Sequence, residues 1–285
     1  LISIVGPTAI GKTALSIKLA QHFNTEIISA DSRQFFKEMQ IGTAAPAPNE
    51  LVAAPHHFIH NISIHDNYNV GTFEKQAITC INTLHKIKDV VIMVGGSGLY
   101  IDAVTKGENL NQTLEKEGIE ALQNQLKELD IISYNTIAID NPHRLIRALE
   151  ICIGSGQPYS SFLNKEKGKR YFKTITVGLV ADRPIIYDRI NKRVDMMMEA
   201  GLLDEVKTLL PHQSLNALNT VGYKELFNYL NDEWTLDFAI SEIKKNSRRF
   251  AKRQLTWFKK NDKTLWFDYL ADIETIIEKI NQAIN

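Results

Sequence analysis

The sequence predicts an α/β fold in which helices flank a parallel β-sheet and a helical insertion subdomain interrupts the chain. Short β-rich runs alternate with helical patterns along the first half, and strands separated by helices are typical of a parallel sheet. The runs are apolar throughout, as expected when helices cover both faces of the sheet. Between residues 113 and 129 the pattern becomes that of an amphipathic helix, which we take as the insertion.

The predicted elements follow in a regular order. Residues 1–5 form the first strand, and a glycine-rich loop then leads into a helix that ends near Phe23. The other predicted strands cover residues 26–29, 90–94, 174–180 and 265–267. The other predicted helices cover residues 72–86, 113–129, 143–152, 183–200, 202–210 and 235–260. We therefore divide the chain into a first part of the core (1–107), a helical insertion (108–142) and the remainder of the core with a C-terminal helical segment (143–285).

Composition excludes several classes of protein. Of the 285 residues, 44% are hydrophobic and 23% are charged, and no apolar stretch is long enough to cross a membrane, so we expect a cytoplasmic protein. Because the chain opens directly in an apolar run without Met, we expect its natural N-terminus to precede Leu1. The two cysteines, Cys80 and Cys152, have no partner at metal-ligand spacing and are predicted to be core thiols.

The loop after the first strand matches the phosphate-binding pattern GxxxxGK[ST] and has the sequence Gly6-Pro7-Thr8-Ala9-Ile10-Gly11-Lys12-Thr13. In this context backbone N–H groups surround the phosphates and the helix N-terminus adds its positive end. Lys12 reaches the outer phosphate and Thr13 can hold Mg²⁺. The motif predicts a P-loop NTPase-like sheet with a site for a diphosphate or triphosphate.

The chemistry beside this loop differs from that of a hydrolase. P-loop hydrolases place an acidic residue at the end of a neighbouring strand, whereas the strand at 90–94 ends in Gly95-Gly96-Ser97-Gly98. This argues against an ATPase motor and directs the Ser97 hydroxyl towards the ligand, although a simple tight turn is the alternative. Asp31 follows the second strand. It is suited to coordinate Mg²⁺, to accept a proton or to cap the following turn, and spacing alone does not separate these roles.

Further motifs resemble one family along nearly the whole chain. They occur in the order seen in bacterial tRNA dimethylallyltransferases, the tRNA isopentenyltransferase or IPP transferase family. Besides the P-loop, they are Asp31-Ser32-Arg33-Gln34, Ile41-Gly42-Thr43-Ala44, Pro55-His56-His57, Val94-Gly95-Gly96-Ser97-Gly98-Leu99-Tyr100, Arg144-Leu145-Ile146-Arg147-Ala148-Leu149-Glu150, Val221-Gly222-Tyr223-Lys224-Glu225 and Ala251-Lys252-Arg253-Gln254-Leu255-Thr256-Trp257-Phe258.

The resemblance implies an activity and a donor. A dimethylallyl group would move from dimethylallyl diphosphate to N6 of adenosine 37 in tRNAs reading codons that begin with U, with release of diphosphate and with Mg²⁺ as cofactor. Asp31 would be the base and Ser97, where the family usually has Thr, its companion. Arg183 and Arg193 match positions that face the diphosphate, and solvated helix charges are the alternative for both.

The partner implied by the resemblance is the tRNA anticodon stem-loop, bound by a monomer. Residues 244–263 carry nine basic residues against the single acid Asp262, and Phe250, Trp257 and Phe258 lie among them. We favour core positions for Trp257 and Phe258. The residues expected to contact the tRNA are Asp31, Ser32, Arg33, Gln34, His143, Arg144, Leu145, Ile146, Arg147, Asn219, Gly222, Tyr223, Lys224, Lys252, Arg253 and Gln254.

Two other functions share parts of this pattern. A small-metabolite kinase would use the same Lys12 and Thr13 chemistry, and a nucleotide-switched RNA-binding protein would not need Asp31.

The sequence departs from the family pattern in the insertion, because the family generally has about a dozen more residues between Gly107 and Gly118, including an Arg that touches tRNA. We expect that a mobile stretch is absent from the sequence there.

Overall fold

The computed structural model describes residues 1–106, 119–140, 144–145, 148–149, 151–152, 157–163 and 170–284. Several predicted features lie outside these residues. They are the start of the predicted helix at 113–118, the departure between Gly107 and Gly118, and the predicted tRNA contacts His143, Ile146 and Arg147.

The described residues contain a six-stranded sheet with the strand order β3-β2-β4-β1-β5-β6. All of its pairings are parallel. The strands are β1 (Ile2–Val5), β2 (Ile27–Ser29), β3 (His56–His57), β4 (Ile92–Val94), β5 (Ile175–Val180) and β6 (Leu265–Asp268). The predicted α/β class is therefore confirmed. Strand β3 was not among the predicted strands, because two consecutive histidines have neither the length nor the β-branched composition of a strand.

The helices of the described residues lie between and after these strands. They are α1 (Lys12–His22), α2 (Pro48–Ala53), α3 (Val70–Leu84), α4 (Gly98–Lys106), α5 (Ile119–Leu129), α6 (Ile131–Thr136), α7 (Tyr159–Leu163), α8 (Arg183–Glu199), α9 (Leu202–Leu209), α10 (Tyr223–Leu230), α11 (Leu236–Phe258) and α12 (Ile273–Ile284). None of them combines the length and apolar composition needed to cross a membrane.

The apolar strands form the main core because both of their faces are covered. Ile2, Ile4, Ile27 and Ile92 are almost completely buried, and they join side chains from α1, α8 and α12 in one hydrophobic cluster. Register places Ile4 beside Val94 on one side and Val177 on the other. The carboxyl ends of β1, β2 and β4 therefore meet at one edge of the sheet, where ligands bind in open α/β folds.

The chain forms two compact units. The first comprises Leu1–Asn67, Thr79–Ile101 and Phe172–Asn285 and contains the whole sheet. The second comprises Tyr68–Ile78 and Asp102–Tyr171. The limits predicted for the insertion, 108–142, stay a prediction.

The second unit has a hydrophobic cluster of its own, formed around Leu122, Leu126 and Leu145. Buried Asp130 lies at the start of α6, where it accepts hydrogen bonds from Ser133 and Ser160. Both cysteines were predicted to be core thiols. Cys152 is buried in this cluster, as predicted, whereas Cys80 in α3 is only partly buried.

A close contact between β5 and β6 generates a stability prediction. Gly178 pairs with Trp266, and a Cβ added to Gly178 would lie 2.5 Å from the indole ring. We expect Gly178→Ala to lower the free energy of unfolding by about 1–3 kcal/mol, because the added methyl overpacks the contact. In urea unfolding, Gly178→Ala should lower the free energy of unfolding less in a Trp266→Leu background than in the native protein. Strictly additive losses would contradict the proposed contact.

Candidate active site

The P-loop adopts a backbone that requires its glycines. Gly6 and Gly11 have φ values of +145° and +107°, and a Cβ on Gly6 would lie 2.8 Å from the carbonyl oxygen of Leu179. Ala9 between them also has a positive φ, of 63°. Loop and α1 together therefore place successive backbone N–H groups around one concave space, as a phosphate site requires.

Lys12 lies within this loop. Its Nζ donates hydrogen bonds to the carbonyl oxygens of Gly6 and Pro7, at 3.1 and 2.8 Å. Desolvation lowers the pKa of Lys12 to about 8, and nearby Asp31 and Arg193 shift it in opposite directions, Asp31 raising it and Arg193 lowering it. An anion bound in the loop would favour the charged ammonium, because opposite charges at short range stabilise each other.

A cavity of about 580 Å³ opens over the P-loop, and we call it the phosphate cavity. Four cationic side chains contribute to its wall: Lys12, Arg189, Lys192 and Arg193. Arg193 donates from Nη1 to the hydroxyl of Thr8 at 3.2 Å, and Arg189 donates from Nε to the carbonyl oxygen of Ala9 at 2.7 Å. The cavity thus combines loop amides with fixed cations, which is the chemistry that binds diphosphate.

Arg183 and Arg193 of α8 were both predicted to face the diphosphate, and of these two Arg193 lines the phosphate cavity. Arg183 stacks on the ring of Tyr187, with its Cζ 5.1 Å from the ring centroid, and is absent from the described residues that line the phosphate cavity. Arg189 was missed. It precedes Arg193 by one helical turn, so the i, i+4 spacing was the signal that could have found it.

A second cavity of about 470 Å³ adjoins the first, and we call it the apolar cavity. The two share Thr8, Asp31, Thr43, Arg193, Phe250 and Gln254 as wall residues. Most of the remaining wall is apolar and includes Tyr100, Ile190, Val194, Met197, Leu202, Val221, Ile243 and Trp257. A ligand that carries a charged group joined to an apolar group would therefore fit, with the charged part in the phosphate cavity and the apolar part in the apolar cavity.

Asp31 and Ser97 come together at the carboxyl ends of β2 and β4. Asp31 lines both cavities, and its Oδ1 accepts from the N–H of Arg33 at 3.3 Å, so the carboxylate also holds its own turn. Ser97 lines the apolar cavity and accepts from the N–H of Ser32 at 3.1 Å. Gly95 allows this approach, because a Cβ there would lie 2.5 Å from the carbonyl oxygen of Ala30.

Gln254 connects the two halves of the site. Its Oε1 accepts from the N–H of Thr8 at 2.8 Å, and its Nε2 donates to the carbonyl oxygen of Gly96 at 3.0 Å. Gln254 belongs to α11, and its side chain is buried. Its amide joins the P-loop to the turn that carries Ser97, and its predicted contact with tRNA stays a prediction.

Three more residues predicted to contact tRNA are engaged within the protein. Tyr223 is completely buried and donates its hydroxyl hydrogen bond to Glu205. Arg33 donates to the carbonyl oxygens of Asn216 and Ala217. Gln34 donates to the carbonyl oxygens of Thr43 and Ala44. Sequence patterns miss such contacts because they do not show which way a polar side chain points.

The remaining predicted tRNA contacts have different surroundings. Leu145 is buried in the second unit's cluster, Gly222 is buried, and Ser32 lies in the wall of the apolar cavity. The exposed members of the set are Arg144, Asn219, Lys224, Lys252 and Arg253.

The aromatic residues of α11 divide between core and surface. Phe258 is buried, as predicted. Trp257 and Phe250 are each 38% exposed and line the apolar cavity, so the core prediction does not describe Trp257. The Arg253 guanidinium lies 5.6 Å from the Phe250 ring centroid, which places a cation and an aromatic face at the cavity mouth.

The donor set fits a magnesium ion that is held largely by substrate. Within the described residues, no group of three or more His, Cys, Asp or Glu side chains surrounds a metal position. The hydroxyl of Thr13 and the carboxylate of Asp31 both line the phosphate cavity. One or two protein oxygens completed by phosphate oxygens and water are the ordinary ligands of Mg²⁺ at phosphate sites.

Comparison with known proteins gives a consistent result. The family model described as IPP transferase matches residues 34–261. The chain is 59% identical to the tRNA dimethylallyltransferase of Christiangramia forsetii, over all of this chain and 98% of that one. It is 57% identical to that of Flavobacterium johnsoniae, over all of this chain and 99% of the relative.

Solved structures agree with this result. A tRNA isopentenylpyrophosphate transferase from Bacillus halodurans superposes with a TM-score of 0.73 at 37% identity, covering 99% of this chain and 94% of that one. A eukaryotic dimethylallyltransferase acting on tRNA gives a TM-score of 0.82 at 26% identity, covering all of this chain and 77% of the other. With the phosphate cavity, the apolar cavity and the full-length similarity in agreement, the chain belongs to the IPP transferase family.

Proposed function

We propose that this protein transfers a dimethylallyl group from dimethylallyl diphosphate to N6 of adenosine 37 in tRNAs that read codons beginning with U, and releases diphosphate. Family membership supports dimethylallyl transfer to tRNA, while the nucleotide and its atom follow from the resemblance in the motifs. The observation that carries the proposal is the shared wall of the two cavities, where Asp31 lies between a phosphate site and an apolar space.

The phosphate cavity would stabilise the leaving group. As the bond between the allylic carbon and oxygen breaks, negative charge builds on the diphosphate. Lys12, Arg189 and Arg193 line this cavity with the residues of the P-loop, and their positive charges would stabilise the diphosphate. Mg²⁺ would be held by Thr13 and phosphate oxygens, and its positive charge would supply further stabilisation of the diphosphate.

The apolar cavity would exclude water from the reacting carbon. An allylic cation-like centre reacts with water unless water is kept away, and the walls of this cavity are mainly apolar side chains such as Tyr100, Met197 and Trp257. The target base, unstacked from the anticodon loop, would enter the same space.

Asp31 would act as the base. The N6 lone pair forms the new bond to the allylic carbon, the carbon–oxygen bond electrons leave with diphosphate, and the N6 proton passes to the Asp31 carboxylate. The shared wall gives this carboxylate access to both substrates. Ser97, held by the N–H of Ser32, would orient the amine beside it.

The surface of α11 would bind the anticodon stem-loop. Lys252 and Arg253 are exposed and Arg253 lines the apolar cavity, so both side chains would contact phosphates of the RNA backbone. Exposed Phe250 and Trp257 would stack against unpaired bases. We propose that a monomer suffices, since both cavities lie within the first compact unit.

The activity and the role of Asp31 can be tested together. The protein is incubated with Mg²⁺, labelled dimethylallyl diphosphate and unmodified tRNA with adenosines at positions 36, 37 and 38, and nucleosides are then separated by chromatography. We expect N6-(dimethylallyl)adenosine from the native protein. Asp31→Asn should lose about 10²–10⁴-fold in turnover while it still binds tRNA, because it removes the proton acceptor.

The control is Asp182→Asn. Asp182 also follows a strand of the sheet but lies outside the described walls of both cavities. No transfer by well-folded native protein would refute the proposed function, and unchanged turnover of Asp31→Asn would refute the role of Asp31 as base.

The lowered pKa of Lys12 predicts proton uptake on binding. At pH 8 about half of the Lys12 side chains are neutral in the free protein, given a pKa of about 8. Bound diphosphate raises that pKa, so these side chains take up a proton. Titration calorimetry with inorganic diphosphate in buffers of different ionisation enthalpy should show this uptake in the native protein and in Lys192→Met, but not in Lys12→Met. Equal uptake in all three proteins would contradict the assignment.

A further inference from the structure

We propose that Glu205 is a positioning residue for Asp31, acting through the loop at 40–44. This inference rests on the proposed function and deepens it, because it assigns the control of the catalytic carboxylate to a residue on α9. Glu205 is not among the described residues that line either cavity, so its influence must pass through the groups that it holds.

Glu205 gathers four hydrogen-bond donors. Its Oε2 accepts from the backbone N–H groups of Gln40 and Ile41, at 3.0 and 2.7 Å. Its Oε1 accepts from the N–H of Gly42 at 3.0 Å and from the hydroxyl of Tyr223 at 2.6 Å. One carboxylate thus fixes three consecutive peptide groups, and hydrogen bonds to a charged acceptor are about twice as strong as neutral ones.

Tyr223 secures the other side of this contact. A Cβ on Gly42 would lie 2.5 Å from the Tyr223 ring, so the phenol packs directly on the loop backbone. Burial, followed by the neighbouring Glu205, raises the pKa of Tyr223 far above its usual range. The hydroxyl therefore stays protonated and keeps donating to the carboxylate.

The loop in turn holds the Asp31 turn. Gln34 donates from Nε2 to the carbonyl oxygens of Thr43 and Ala44, at 3.3 and 3.1 Å. The N–H of Gln34 donates to the carbonyl oxygen of Asp31 at 3.1 Å. A continuous hydrogen-bonded path therefore runs from Glu205 through the loop and Gln34 to Asp31. Gly42 and Thr43 also form part of the apolar cavity's wall.

The P-loop has supports of its own, while Thr43 and Ala44 of the loop at 40–44 also line the phosphate cavity. Lys12 and the P-loop are held by their own backbone, by Gln254 and by the arginines of α8. Removal of Glu205 should accordingly disturb the placement of Asp31 while leaving diphosphate binding nearly unchanged. This separation gives the proposal a measurable signature.

The test compares Glu205→Ala, Glu205→Gln and Tyr223→Phe with Glu38→Ala as the matched control. The Glu38 carboxylate also holds a loop, accepting from the Ser63 hydroxyl and the Ile64 N–H, but that loop lies outside the described walls of both cavities. All four variants remove loop-holding hydrogen bonds, so a purely general loss of stability would affect the control as well.

We expect Glu205→Ala to lower kcat about 10- to 100-fold with both substrates saturating, since displacement of about 1 Å at a reacting group costs about 10²-fold. Glu205→Gln should lose less, and Tyr223→Phe least, because each keeps more of the four hydrogen bonds. The Kd for inorganic diphosphate should stay within about twofold of the native value in every variant. Glu38→Ala should keep native kcat.

Hydrogen exchange of the unliganded proteins provides a readout that does not depend on transfer. Peptides covering residues 31–35 and 40–44 should exchange faster in Glu205→Ala than in native protein, and at native rates in Glu38→Ala. Failure of the native protein to transfer a prenyl group would refute the proposed function, whereas the exchange result would still decide whether Glu205 holds the Asp31 turn.

Three results would overturn the inference: equal losses of kcat in Glu205→Ala and Glu38→Ala, loss of diphosphate binding in parallel with kcat, or unchanged exchange at 31–35. If Glu205→Ala does not fold, Glu205→Gln and Tyr223→Phe decide the question by the same criteria.

Discussion

The parallel pairing of β2, β4 and β1 is the constraint on which the site depends, because it brings three strand ends to one edge of the sheet. Each end contributes a different function. The P-loop follows β1, Asp31 follows β2, and Gly95 to Gly98 follow β4 with Ser97 among them. These segments are distant in sequence, yet the sheet places them around two adjoining cavities. The proposed leaving-group stabilisation and the proposed proton removal therefore concern neighbouring atoms of two substrates held at one edge of the sheet.

Side chains from the C-terminal half complete the arrangement. Gln254 of α11 is hydrogen-bonded to both Thr8 and Gly96, while Arg189 and Arg193 of α8 are hydrogen-bonded to the P-loop. The same helix α11 presents Lys252 and Arg253 to solvent. One helix thus combines a buried side chain that joins the P-loop to the turn with Ser97 and an exposed basic face. The proposed RNA-binding residues and a hydrogen-bond link between two parts of the site therefore belong to the same helix.

Much of the fold was predictable from local signals, and so was part of the site. Apolar runs identified five strands, and the GxxxxGK[ST] spacing located Lys12 and Thr13, because both patterns are set by neighbouring residues. Three features depend on which way a side chain points in the folded chain: the burial of Tyr223, the internal hydrogen bonds of Gln254 and the place of Arg189 in the cavity wall. Glu205 follows the loop that it holds by more than 160 residues, so no local pattern connects the two. The sequence therefore predicted residues whose contacts follow from local motifs, and it did not predict contacts that depend on the tertiary structure.

The central claim is that the P-loop holds the diphosphate of a prenyl donor instead of a nucleotide that is hydrolysed. Phosphorus NMR of a reaction with dimethylallyl diphosphate, Mg²⁺ and unmodified tRNA, without ATP, tests this most directly. We predict that one molecule of inorganic diphosphate appears for each dimethylallyl group attached to tRNA. A requirement for ATP, or release of orthophosphate in step with the modification, would contradict the account.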